Sequence, residues 1–142
     1  MNYLLDTSIA LAAIRGRPDA VRRRIQVVAA DQERMALTTI ALHELWYGVA
    51  RSATVAENTA RLRAFLSGVD VLDFEQEDAA AAGRLRQHLA GSGQPIGPYD
   101  VLIAAVALQR QLTLVTANAR EFSRVPDLAV EDWTNTPGHP RR

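Results

Sequence analysis

Tyr3-Leu4-Leu5-Asp6-Thr7-Ser8-Ile9 decides how this chain folds. The apolar stretch from Asn2 to Leu5 predicts a buried strand, and Asp6, Thr7 and Ser8 supply the oxygens that cap a helix starting near Ile9. An acid therefore stands at the carboxyl end of a buried strand. Two further acids have equally apolar neighbours: Glu44 within Thr39-Ile40-Ala41-Leu42-His43-Glu44-Leu45-Trp46, and Asp100 ahead of Val101-Leu102-Ile103-Ala104-Ala105-Val106. A buried, ionised carboxylate is strongly unfavourable unless it is paired or bound to a metal, and no basic residue is dedicated to any of these three. A hard divalent cation shared among them meets that demand.

Outward from this stretch, Arg17-Pro18-Asp19 ends the first helix, and Pro18 opens a second one through Val21, Ile25 and Val28 with Arg22, Arg23 and Arg24 on its polar face. Met35-Ala36-Leu37 reads as a strand. Thr38 or Thr39 caps a helix to about Val49, and Ala53 to Ser67 form another, the two making an arm-like helical hairpin. Val69 to Leu72 is a third strand, Glu75 to Ala90 a helix stopped by Gly91, and Leu112 to Val115 a fourth strand. A turn with a short helix follows over Thr116 to Phe122, then an edge strand at Leu128 to Val130.

Strands separated by helices, with no tight hairpin signal, predict an α/β fold with three layers, α/β/α, around a central, mostly parallel sheet of four to five strands. Ligands gather at the carboxyl ends of the strands in such sheets, and Asp6 and Thr116 both follow strands. The Gly/Pro-rich loop Gly91-Ser92-Gly93-Gln94-Pro95-Ile96-Gly97-Pro98 delivers the chain to Asp100. No repeat or linker divides the chain, which reads as one domain over residues 1–133 and a flexible tail over 134–142.

The 142 residues carry sixteen basic and sixteen acidic side chains, and every basic one is arginine. Without lysine there is no P-loop phosphate clamp, no Schiff base and no lysine to neutralise an acyl phosphate. The absence of cysteine excludes disulfides, thiolate zinc sites and cysteine nucleophiles, and agrees with a cytoplasmic setting. The start of the chain lacks a basic region and reaches an acid at Asp6, and the run Val101 to Leu108 is too short to span a bilayer. Neither a signal peptide nor a membrane anchor is expected.

Each acid alone admits a structural role. Asp6 can be a helix cap, Asp100 an acid favoured by the dipole of a first turn, Glu121 a surface partner of Arg120 and Arg124, and Asn118 a turn former. Glu44 is harder to place: three and four residues away stand Ile40, Ala41, Tyr47 and Gly48, so the acid shares its face with apolar and small residues. It is the joint occurrence that points to a metal centre. His43-Glu44 opens like a zinc-protease helix, but the second histidine position is Tyr47. Neither a Gly-x-Ser-x-Gly elbow nor a dinucleotide glycine pattern is present.

Four blocks, in order, carry a resemblance over almost the full length: Tyr3-Leu4-Leu5-Asp6-Thr7-Ser8; Thr39 to Gly48; Ile96-Gly97-Pro98-Tyr99-Asp100-Val101-Leu102-Ile103-Ala104-Ala105; and Leu114-Val115-Thr116-Ala117-Asn118-Ala119-Arg120-Glu121-Phe122. The chain resembles the PIN-domain ribonucleases and, within them, the VapC-type toxins of bacterial toxin–antitoxin pairs. The resemblance implies a PIN-like fold and an endoribonuclease that hydrolyses RNA with a metal-activated water. It implies that Asp6, Glu44 and Asp100 hold Mg2+ or Mn2+, that Glu121 or Asn118 fills a fourth active-site position, and that Thr7, Thr116 and Asn118 orient the acids or contact phosphate. It also implies a cognate VapB-type antitoxin and a homodimer. The closing run Glu121 to Pro126, with Val130-Glu131-Asp132-Trp133, is similar to members that cut the anticodon region of initiator tRNA. An acidic pit repels RNA unless its rim is basic, and Arg15, Arg17, Arg120 and Arg124, with Arg22 to Arg24, are candidates for that rim.

Two other readings use the same residues. A receiver-like or phosphatase-like phosphoryl-transfer domain also uses a strand-end Asp with magnesium, but it needs a lysine, and the phosphatase needs an acid where Ser8 stands. A silent binding module would keep the fold and use its acids structurally. Asp6→Asn, Glu44→Gln and Asp100→Asn are each expected to abolish RNA cleavage while leaving the fold intact or stabilised, because each removes one of several repelling carboxylates. Cleavage assays beside melting curves check this, and gross unfolding of all three variants contradicts it.

Overall fold

The computed structural model describes residues 3–134. In chain order its elements are β1 (Tyr3–Leu5), α1 (Thr7–Arg15), α2 (Asp19–Ala30), β2 (Met35–Thr38), α3 (Thr39–Ala50), α4 (Val55–Leu66), β3 (Asp70–Leu72), α5 (Gln76–Gly91), α6 (Pro98–Gln109), β4 (Thr113–Val115), α7 (Ala119–Phe122) and β5 (Val130–Glu131). The strands form one sheet in the order β3-β2-β1-β4-β5, and every neighbouring pair is parallel. β1 lies at the centre, with Tyr3 opposite Met35 on one side and Thr113 on the other. The whole of β1 is buried, which is what an uninterrupted apolar run in a sheet covered on both faces requires.

Alternation along β1 divides the core. Leu4 packs into a cluster with Leu45 of α3, Leu85 and Leu89 of α5 and the buried side of α6, while Tyr3 and Leu5 face Ile9 and Ala13 of α1 and Val21 and Val28 of α2. This gives the expected helix, sheet and helix layers. The expected hairpin of α3 and α4 is docked on the body of the fold: α3 packs on α1 and α6, α4 packs on α1, and Leu45 and Leu62 are buried. The Arg63 guanidinium lies 5.4 Å from the centre of the Trp46 ring and closes the hairpin.

Element ends differ from expectation for identifiable reasons. The first helix begins at Thr7 rather than near Ile9, because Asp6 itself is the cap and its Oδ1 accepts the Ile9 N–H at 3.0 Å. α5 runs through Gly91 and is capped by Ser92. The last strand is Val130–Glu131, one residue beyond the expected span, because its register sets Val130 beside Leu114 and Glu131 beside Val115. Asn2 and residues 135–142, and with them nearly all of the expected tail, lie outside the described residues. Trp133 is buried against Tyr3, ring centres 5.1 Å apart, and its Nε1 donates to Glu131 Oε1 at 2.9 Å.

One buried ion pair locks the far end of α6. Asp78 is 1% exposed and accepts the Glu75 N–H at 2.8 Å and Arg110 Nη2 at 2.9 Å, while Arg110 also donates to the Asp73 carbonyl at 2.7 Å. Asp78→Ala leaves the β3–α5 turn and the Arg110 guanidinium without this acceptor and is expected to cost about 3 kcal/mol. Urea unfolding of the purified variant measures it, and a change within error of zero contradicts it.

Candidate active site

Parallel pairing of β1 with β4 sets Leu5 opposite Val115, so Asp6 and Thr116 leave the sheet side by side at its carboxyl edge. The Asp6 N–H donates to the Val115 carbonyl at 3.0 Å. The Asp6 side chain is 5% exposed; its Oδ1 accepts from the Ser8 hydroxyl at 2.6 Å, and the fully buried Thr116 also hydrogen-bonds it. Burial pushes the Asp6 carboxyl above the usual carboxylate range, while the bonds from Ser8, Thr116 and the Ile9 N–H pull it back in part. Helix cap and site residue are thus one carboxylate. Ser8 Oγ further accepts the Ala117 N–H at 3.2 Å, tying the start of α1 to the turn after β4.

Glu44 reaches the same place from another strand. Thr38, the last residue of β2, accepts the Ala41 N–H at 3.0 Å and starts α3, which carries Glu44 in its second turn. Glu44 Oε1 accepts the Thr7 hydroxyl at 2.6 Å, and Thr7 adjoins Asp6 in sequence.

Asp100 stands in the first turn of α6, which Pro98 opens after Gly97. Its carboxylate folds back over Gly97, where an added Cβ would come within 2.9 Å of Asp100 Oδ2. The Gly97 backbone, at φ −54 and ψ 150, suits any residue, so it is space for the carboxylate that glycine provides. The Asp100 carboxyl is pushed up to about 7, first by burial, then by a hydrogen bond shared with Glu121 and by the negative charges of Glu121, Asp6 and Glu44. Asp100 thus feels the charges of all three other candidate acids, Glu121 most strongly.

Glu121 corrects one expectation. It makes no surface ion pair with Arg120 or Arg124; Arg124 Nη1 instead donates to the Pro95 carbonyl at 3.0 Å and pins the loop before α6. Glu121 Oε1 is buried with no hydrogen-bond partner among the described residues. A carboxylate oxygen buried without a partner is costly, and a cation relieves it. Among the described residues no three His, Asp or Glu side chains stand together as a ready-made cage. Magnesium needs only one or two direct carboxylates because it keeps several waters. The all-oxygen donor set suits Mg2+ or Mn2+.

The remaining candidates divide. Asn118 is exposed, its N–H donates to Thr116 Oγ1 at 2.9 Å, and its side chain does not cap α7, so Glu121 rather than Asn118 meets Asp100. Arg15 lines a cleft of about 1000 Å³ together with Thr7, His43, Glu44, Tyr47 and Tyr99. Arg17 and Arg120 are exposed and do not line it. The α2 arginines are braces: Arg22 donates to the Ala13 and Ile14 carbonyls, Arg23 pairs with Asp19, and Arg24 pairs with Glu131 beneath Trp133. The Ser8 bond to Asp6, the room left by Gly97, and the edge-to-face contact of His43 with Tyr99 at 4.9 Å were not anticipated. A hydroxyl two residues after the strand-end acid was the available signal for the first.

Comparison with known proteins places the chain by family and by fold. The PIN domain family matches residues 3–128. A relative from Shigella flexneri named tRNA(fMet)-specific endonuclease VapC is 39% identical over 134 residues, covering 94% of this chain and 99% of its own. Among solved structures, VapBC2 from Rickettsia felis bound to a DNA fragment from their promoter superposes with a TM-score of 0.88 at 37% identity, covering 94% of this chain and 99% of the matched one. DNA-bound VapBC from Salmonella typhimurium gives 0.86 at 38% identity, covering 94% and 98%.

An unfolded aspartate ionises near 3.8, whereas Asp100 in the fold does so near 7, and Asp6 is shifted the same way. Between those values the unfolded chain has released a proton that folded Asp100 retains, so Asp100 lowers the stability of the metal-free protein as pH rises through that window, and Asp6 acts in the same direction. Urea midpoints measured in EDTA at stepped pH should fall more steeply for wild type than for Asp100→Asn. Parallel curves contradict the shift.

Proposed function

The chain belongs to the PIN-domain family, and we propose that it is an endoribonuclease of the VapC kind, hydrolysing RNA phosphodiester bonds with a divalent metal ion and silenced by a VapB-type antitoxin. The acid set carries this reading: Asp100 and Glu121 share a hydrogen bond in a pit where Asp6 and Glu44 also act, and Glu121 Oε1 is buried and unpartnered. Such a set destabilises the empty fold and becomes a ligand set once a cation is present. Asp6, Glu44 and Asp100 would hold Mg2+ or Mn2+, which when bound supplies an acidified water and offsets the charge that develops on phosphate.

The chain's own residues do the positioning. Ser8, Thr116 and the Ile9 N–H fix Asp6, and Thr7 fixes Glu44. The Asp100 carboxyl, raised by burial and by Glu121, holds a proton that it would have to release to serve as a metal ligand, so binding of a cation there would strengthen as pH rises toward neutrality. Glu121 then takes the part of general base and accepts a proton from the attacking water. Attack by water, not by the ribose 2′-hydroxyl, leaves a 5′-phosphate and a 3′-hydroxyl.

The name of the Shigella flexneri relative makes initiator tRNA the first substrate to offer, and the VapBC neighbours support a VapB-type partner. A homodimer acting in the cytoplasm completes the proposal; among the described residues no helix is long and apolar enough to cross a membrane. The test uses the purified protein, free of antitoxin, with initiator tRNA and total bacterial RNA in magnesium, manganese or EDTA, followed by mapping of the new ends. Metal-dependent cuts at one site with 5′-phosphates are expected. Cyclic phosphate ends overturn the mechanism, and no cut in any RNA by a folded, metal-loaded protein favours a silent binding module.

A further inference from the structure

Two exposed aromatic rings, packed on each other, adjoin two of the acids in sequence. Tyr99 immediately precedes Asp100 and His43 immediately precedes Glu44; both are exposed, Tyr99 by 47%, and their ring centres stand 4.9 Å apart at 74°. Edge-to-face packing holds both rings in fixed orientation. One turn further along α3, Tyr47 is 64% exposed and carries the Arg51 guanidinium 5.1 Å from its ring centre. His43 and Tyr47 are separated by about 6 Å along the helix axis, on one face. Arg15 and Arg51 line the same cleft, and neither has an ion-pair partner among the described residues.

These rings line a cleft that reaches Glu44 and Thr7, with an apolar floor that includes Leu11, Leu45 and Leu62, and Tyr47 and Tyr99 stand among the few exposed large hydrophobic residues. Rings with guanidiniums beside them are how proteins take up unpaired nucleotides, the rings stacking on bases and the arginines meeting phosphates. We propose that this cleft is a stacking platform for single-stranded RNA: Tyr99, braced by His43, stacks on a base next to the scissile phosphate, and Tyr47 with Arg51 receives a base further along. The inference rests on the nuclease reading and adds to it the residues that choose unpaired over paired RNA. A duplex cannot present splayed bases to such rings, whereas a loop or a single strand can.

The test uses the cleavage-dead Asp100→Asn protein with magnesium and a single-stranded twelve-nucleotide RNA carrying 2-aminopurine at successive positions. Quenching confined to one or two positions is expected, with Tyr99→Ala removing it and raising Kd about 10-fold, and Tyr99→Phe retaining both. An abasic nucleotide at the quenched position should weaken binding to the Tyr99-containing protein by the same factor and leave the Tyr99→Ala protein unchanged. That coupling separates stacking from a merely structural effect. Unchanged Kd and quenching in Tyr99→Ala and Tyr47→Ala, in a protein whose Asp100-containing form cuts RNA, overturn the platform and leave the nuclease standing. Loss of antitoxin binding alone in those variants assigns the cleft to a protein segment and also overturns it. If the Asp100-containing protein neither binds nor cuts RNA, the nuclease reading fails first.

Discussion

Burial of acids near the carboxyl edge of a parallel sheet is the constraint around which the rest is arranged: the Asp100 carboxyl is raised first by burial and then by Glu121, Asp6 and Glu44. Asp6, Glu44, Asp100 and Glu121 come from the end of β1, from α3, from the start of α6 and from α7. None is neutralised by an arginine. Their hydrogen bonds come from hydroxyls, a backbone N–H and one another, which orient a carboxylate while leaving its charge uncompensated. Asp78 shows that the chain handles a buried acid differently when nothing is to bind there, giving it a guanidinium at 2.9 Å. The contrast within one fold supports the proposed cation site without appeal to resemblance.

Composition takes on a different meaning once the arginines are located. Zero net charge with sixteen guanidiniums suggests a neutral surface, yet many of those groups are structural braces. Arg22 caps the end of α1, Arg24 holds the last strand, Arg34 pairs with Asp70, Arg61 with Glu57, Arg110 with Asp78, and Arg124 holds the loop before Asp100. The positive charge left to meet an anionic ligand is therefore less than the total, and Arg15 and Arg51, which line the cleft, stand where it would be used.

The fold was legible because its strands are apolar runs ended by capping residues, and such runs alternate with long helical patterns. Ends proved less legible, since a cap and a helix start differ by one dihedral angle. The β5 span followed from register with β4, which only the assembled sheet defines. Asp6, Glu44 and Asp100 stood out as acids in apolar sequence. Glu121 did not, because neighbours Arg120 and Arg124 suggest a surface pair, and only the tertiary contact between α7 and the start of α6 turns it inward. Gly97 and the His43–Tyr99 contact were beyond reach for the same reason: each depends on atoms of a residue whose place is fixed by another element.

The strand order β3-β2-β1-β4-β5 has a consequence for the life of the chain in the cell. β1 is made first but has β4 as one of its two neighbours, and β4 is followed at once by Thr116 and Glu121. A nascent chain that has just completed α6 already owns Asp6, Glu44 and Asp100, yet it lacks the strand that holds β1 in register, the hydroxyl that buttresses Asp6 and the acid that shares the proton of Asp100. The proposed centre is therefore assembled only from both ends of the chain, and its parts cannot come together before β4 and α7 have been made.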